Sequence, residues 1–100
     1  MEIIIKEIKN GVEGHFVGRL DTVAATKVGS EMTKLGEYAD KEILLDFAEL
    51  EFISSSGLRL LLMLNKQAKA KKGKVIIANA SDEVKHVLKL TGFISLFEIR

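Results

Sequence analysis

Three adjacent hydroxyls, Ser54, Ser55 and Ser56, stand directly before Gly57 and the leucine-dominated run Leu58–Leu64. Serine at such a place can act as a nucleophile, as a helix cap or as an acceptor for a phosphoryl group. A hydrolytic nucleophile needs a strained Gly-x-Ser-x-Gly turn, and "ISSSG" lacks its first glycine. It also needs a base, and the two histidines, His15 and His86, have no carboxylate or second histidine at ligand spacing. The expectation is therefore a protein that is not an enzyme and holds no metal or other cofactor. Capping accounts for one serine, since an N-cap hydroxyl contributes about 1 kcal/mol by accepting a free backbone N–H. Phosphorylation would add about −1.5 to −2 charge and three acceptor oxygens. A helix N-terminus accommodates such an anion, whereas a partner packed over it does not. Capping alone and a chemical switch both remain open on the residues themselves.

The elements that must hold these serines follow from pattern. "EIIIKEI" and "EGHFVGRL" read as strands, and Asn10-Gly11 between them is a strong two-residue hairpin signal. Asp21-Thr22 opens a helix carrying Ala24, Val28, Met32 and Leu35 at helical spacing to about Tyr38, weakened by Gly29 and Gly36. "EILLDF" is a short buried strand, joined by the connection "AELEFI" to a helix from about Ser56 to Lys71. "KVIIAN" is a further strand, Ser81 caps a last helix ended by Gly92, and "SLFEIR" supplies a short edge strand. The order β-β-α-β-α-β-α implies an α/β fold with a small mixed sheet of four or five strands and interspersed helices. In such sheets the loops leaving parallel strands emerge at one edge, where ligands and partners bind. Asp21, Ser54–Ser56 and Ser81 should gather there.

The leucine helix has more apolar surface than one sheet requires. Leu58, Leu61, Leu62 and Ala68, with Asn65, make a core face, and Leu60, Met63 and Leu64 widen it. Leu60 and Leu64 fit a broad core stripe, which leaves Met63 as the apolar residue for a partner to touch.

Length and composition limit the remaining classes. One hundred residues form one domain, 1–100, and 47% hydrophobic with 29% charged residues is a soluble globular balance. The net charge of +1 gives no general attraction to nucleic acid or anionic membrane. The basic cluster Ala68–Lys74 reads as a solvated helix end at the edge opposite the serines. There is no cysteine, no signal peptide, and no apolar run beyond Leu60–Leu64, so neither disulfides nor membrane insertion are expected and the cytoplasm is the expected location.

The stretch "LLDFAELEFISSSGLRLLL", with "GRLD" (Gly18–Asp21) and the tail "NASDEVKHVLKLTGF", resembles a bacterial STAS domain of the anti-sigma-factor antagonist type over nearly the whole chain. That resemblance implies a phosphorylation-switched binding module that regulates transcription. An anti-sigma-factor serine kinase, binding the ATP itself, phosphorylates the first hydroxyl of the family's Ser-Ser/Thr pair; a phosphatase removes the phosphate. Transferred by position, the acceptor is Ser55, and Asp21, Ser54, Ser56, Gly57, Leu58, Arg59 and Met63 form the partner surface. Ser54 replaces the family's aspartate, and Arg59 stands where many members carry a small residue. The second reading is a stand-alone STAS scaffold or ligand-sensing module without serine phosphorylation. Either version would be a monomer or a weak homodimer.

Overall fold

A computed structural model describes all residues, Met1–Arg100. The first strand, β1 (Glu2–Ile8), turns at Lys9-Asn10 into β2 (Gly11–Leu20), antiparallel, with Ile8 opposite Gly11. The turn lies one residue earlier than the Asn10-Gly11 signal suggests. Gly11 serves a different need: a Cβ there would collide with the Glu42 backbone, so glycine is required where β2 meets the next strand.

Two short helices follow, α1 (Thr22–Lys27) and α2 (Gly29–Gly36), in place of the single helix expected from Asp21 to Tyr38. The break falls at Val28, with φ −100° and ψ 17°, directly before Gly29, where helical propensity is low. The apolar stripe survives the break, since Ala24, Val28, Met32 and Leu35 are all buried. The next strand, β3 (Glu42–Ile53), is twice as long as the "EILLDF" pattern indicates and includes the supposed connection. Simple alternation ends at Phe47 because the register against β2 shifts twice, between His15 and Val17 and between Gly18 and Arg19. Each irregularity inserts a residue, so Leu50 and Ile53 still point inward although three positions apart.

The leucine-rich helix α3 (Ser55–Ala70) crosses to β4 (Lys74–Ala78), and α4 (Asp82–Leu90) leads through a 3-10 turn (Phe93–Leu96) to β5 (Glu98–Ile99). Gly92, at φ 76°, ends α4 in the left-handed region that glycine enters without strain. The sheet order is β1-β2-β3-β4-β5, with every pair after the first parallel. A sequential order with right-handed crossovers puts all helices on one face. That face holds the core, centred on an edge-to-face pair of Phe16 and Phe47 with ring centroids 5.1 Å apart. The opposite face carries His15, Asp46, Lys74, Glu98 and the half-exposed Ile4.

On α3 the inward side is Leu58, Leu61, Leu64, Asn65 and Ala68. Leu62, expected on the core face, is only partly buried; Leu64 takes that place, so the inward stripe lies about one position further along than the sequence suggests.

Candidate functional site

Three strand-to-helix junctions meet at the C-terminal edge of the parallel strands. Asp21 caps α1, its Oδ1 accepting the Ala24 N–H at 2.8 Å. Ser54 caps α3, its Oγ accepting the Gly57 N–H at 3.1 Å, and Ser81 caps α4 by accepting from the Val84 N–H at 3.2 Å. The Ser54 N–H donates to the Leu20 carbonyl at 2.9 Å, which ties the loop of Asp21 to that of the serines.

This capping divides the serine triplet. Ser54 is half-buried and committed to the cap, so helix α3 begins one residue before its expected start. Ser55 is the first helical residue and is exposed; Ser56 follows, partly buried. No acidic side chain lies in the first turn of α3, unlike α4, where Asp82 and Glu83 do. The α3 helix therefore sets no acid of its own against the positive end of its dipole at Ser55. Chemically, the position offers a solvent-facing nucleophilic oxygen where an added anion would be stabilised by backbone N–H groups.

Gly57 and Leu58, expected at the contact surface, face inward instead. Leu58 is 4% exposed. A Cβ on Gly57 would lie 2.7 Å from Leu20 Cγ and 3.0 Å from Ile53 Cγ1, so the first turn of α3 is pressed onto the ends of β2 and β3. Both residues position the serines and are closed to a docking protein. Arg59 and Met63 are exposed, the latter by 54%, and follow Ser55 at intervals of four on one side of α3. Met63 also borders a groove between α2 and α3 with Met32, Leu60 and Leu64.

Other residues of this edge were not evident from the sequence. Val23 in the first turn of α1 is 62% exposed beside Asp21. Arg19 and Phe52 are cross-strand partners, with the guanidinium 4.5 Å from the ring centroid. Arg19 also lines a groove of about 420 Å³ with Asp21, Val23 and Lys27. The pairing of Arg19 with Phe52 was concealed because "AELEFI" gives no strand alternation.

A second polar cluster lies on the open face of the sheet. His15 Nδ1 is 3.2 Å from Asp46 Oδ2, and His15 Nε2 is 2.7 Å from Glu49 Oε2. Asp46 Oδ1 accepts the Ala48 N–H at 3.0 Å and the Asn79 amide at 3.1 Å. The hydrogen bond to Glu49 is the chief reason the His15 pKa is raised, with Asp46 adding to it against partial desolvation. Burial disfavours the Asp46 carboxylate, but the Ala48 N–H, Asn79 and His15 outweigh it and hold its pKa low. This cluster joins β2 to β3 across the first register shift. His15 finds its carboxylates on a neighbouring strand, so ligand spacing within its own segment could not show them.

Comparison with known proteins places this arrangement. A protein of Bordetella bronchiseptica named as an anti-sigma factor antagonist, BtrV, is 24% identical over 99 residues, 99% of this chain and 85% of the relative. A STAS domain anti-sigma-factor antagonist from Planctomyces limnophilus superposes with a TM-score of 0.89 at 20% identity, covering 98% of this chain and 87% of that one. The anti-sigma factor antagonist SpoIIAA in its unphosphorylated form gives a TM-score of 0.79 at 22% identity over 99% of this chain and 88% of its own. The phosphorylated form of SpoIIAA, the Bacillus cell fate determinant, gives 0.74 at 20% identity over 99% and 91%. The STAS domain family itself matches residues 2–100, and the chain belongs to that family.

Proposed function

We propose that this protein is a bacterial anti-sigma-factor antagonist, a cytoplasmic binding module that docks an anti-sigma-factor serine kinase and is released by phosphorylation of Ser55. The observation that carries the reading is the division of labour in the serine triplet. Ser54 holds the cap, so Ser55 is left exposed at a helix N-terminus whose first turn has no acidic side chain. The kinase binds the ATP; Ser55 Oγ attacks the γ-phosphorus, ADP leaves, and the hydroxyl proton passes to a base on the kinase. A phosphatase reverses the modification by hydrolysis. This chain is the substrate and contributes no catalytic group.

The surface for the kinase is the exposed side of α3 and its neighbours: Asp21, Ser55, Ser56, Arg59 and Met63, with Val23 beside them. Met63 and Val23 supply apolar area, and Arg59 offers a guanidinium for a partner carboxylate. Added phosphate places negative charge where such a carboxylate approaches, so binding is lost while the fold is retained. SpoIIAA, which shares this fold, has been solved in both unphosphorylated and phosphorylated forms, a precedent for the two states.

The test is titration of the kinase with Ser55→Ala and Ser55→Asp, beside intact-mass mapping of the chain purified from its native cells. Ser55→Ala should bind constitutively, and Ser55→Asp should bind at least tenfold more weakly, about 1.4 kcal/mol. Equal affinities, with no phosphate on Ser55 in cells, would instead leave a STAS scaffold or ligand-sensing module.

A further inference from the structure

We propose that β1 is a self-association edge through which two copies of this chain pair antiparallel about a two-fold axis at Ile4, a property independent of the serine switch. One side of β1 pairs with β2 and the other is an open sheet edge. Ile8 and Gly11 close a two-residue turn, so they exchange backbone hydrogen bonds across the hairpin. By alternation, Lys6, Ile4 and Glu2 also direct their N–H and C=O groups toward β2. The corresponding groups of Ile3, Ile5 and Glu7 are left at the free edge.

Side chains select one register for a second copy. Glu2, Ile4 and Lys6 share the open face of the sheet, and Ile4 is 50% exposed there. Pairing centred on Ile4 sets Glu2 opposite Lys6 of the second copy at both ends and Ile4 opposite Ile4 in the middle. It also sets Ile3 opposite Ile5 on the core side, and these are the residues with unpaired backbone groups facing outward. The central Ile4 pair then falls in the non-hydrogen-bonded position, where side chains approach most closely. Centring on Ile5 faces Lys6 with Ile4 and Glu7 with Ile3, and centring on Lys6 faces lysine with lysine. A charge on an edge strand ordinarily discourages pairing. Here the charges are paired in the register centred on Ile4, set against isoleucines in the one centred on Ile5, and opposed like to like in the one centred on Lys6. The axis stands normal to the sheet, so both helical layers stay on the same face and the two Ser55 edges point to opposite ends, each open to a partner.

Sedimentation of the full chain between about 10 µM and 1 mM should show its mass rising toward that of a dimer. Glu2→Lys, whose cross-strand neighbour within the chain is the uncharged Val17, should weaken association roughly tenfold by setting lysines opposite one another. Lys6→Glu should do the same, and Glu2→Lys combined with Lys6→Glu should restore it. A chain that stays monomeric throughout, or association unmoved by Glu2→Lys, or a double variant no better than Glu2→Lys alone, overturns the proposal. Association abolished by Met63→Asp and indifferent to Glu2→Lys would assign it to α3 instead, also against the edge.

Discussion

At the scale of single residues, the serine site depends on how little room surrounds Gly57. Its Cα rests where any Cβ would meet Leu20 and Ile53 at 2.7–3.0 Å. Glycine normally weakens a helix by about 1 kcal/mol relative to alanine, so an unconstrained site would gain from Gly57→Ala. The crowding here reverses the sign. Gly57→Ala should lower unfolding free energy by roughly 1–3 kcal/mol, measured by urea denaturation, because the first turn of α3 must lift away from two strands. A stability equal to or above the parent would contradict the close packing. Ser54 illustrates the opposite case: serine in place of the aspartate that the sequence resemblance leads one to expect keeps the local structure. Either side chain presents an oxygen to the Gly57 N–H, so the substitution removes a charge from the loop and leaves the cap in place.

Among the elements, β2 and β3 form the frame that delivers Asp21 and Ser54 to the same edge, and His15 braces that frame. Its ring lies between Asp46 and Glu49 where the register shifts. The folded-state pKa is raised above the ordinary 6.5, so the protonated ring binds its partners more favourably in the folded chain than in the unfolded one. That contribution is complete below the unfolded value and is lost as pH rises through the raised one. The stability advantage of the parent over His15→Gln should therefore be greatest below pH 6.5 and shrink as the pH is raised above it. Thermal melts of both on either side of that value test it; a constant difference would mean the ring acts through packing alone. The same pair of strands marks where sequence pattern fails. Alternation revealed β3 as far as Phe47, whereas its second half, with inward residues three apart, read as a connection because bulges disrupt the period of two. Helix α1–α2 failed in the other direction: the stripe of buried residues was legible, but the break at Val28 was not, since burial tolerates it.

For the whole molecule, the proposed switch is separable from the fold because Ser55 is exposed in the first turn of α3 and is not part of the buried core. Placing an anion there favours the α3 dipole by a few tenths of a kcal/mol and disturbs no core contact. Ser55→Asp should keep its thermal midpoint within about 3 °C of the parent, by calorimetry, even as partner affinity falls. A large drop would mean that modification acts by loosening the domain. Charge is distributed to match: the salt bridges of the chain involve His15, Lys74 and Arg100 on the open face of the sheet, away from Arg59 on α3.

What the sequence determined by itself was local. Hydrophobic period, turn residues and caps established the order of elements and the gathering of Asp21, Ser54 and Ser81 at one edge, while the motifs around "SSSGL" and "GRLD" carried the family resemblance. Tertiary structure decided which groups are available. Burial removed Gly57 and Leu58 from the contact surface, capping withdrew Ser54, and register brought Arg19 to Phe52 and His15 to Asp46 and Glu49. Those outcomes are set by strand register and helix rotation, which bulges shift by a residue at a time and which no single segment encodes.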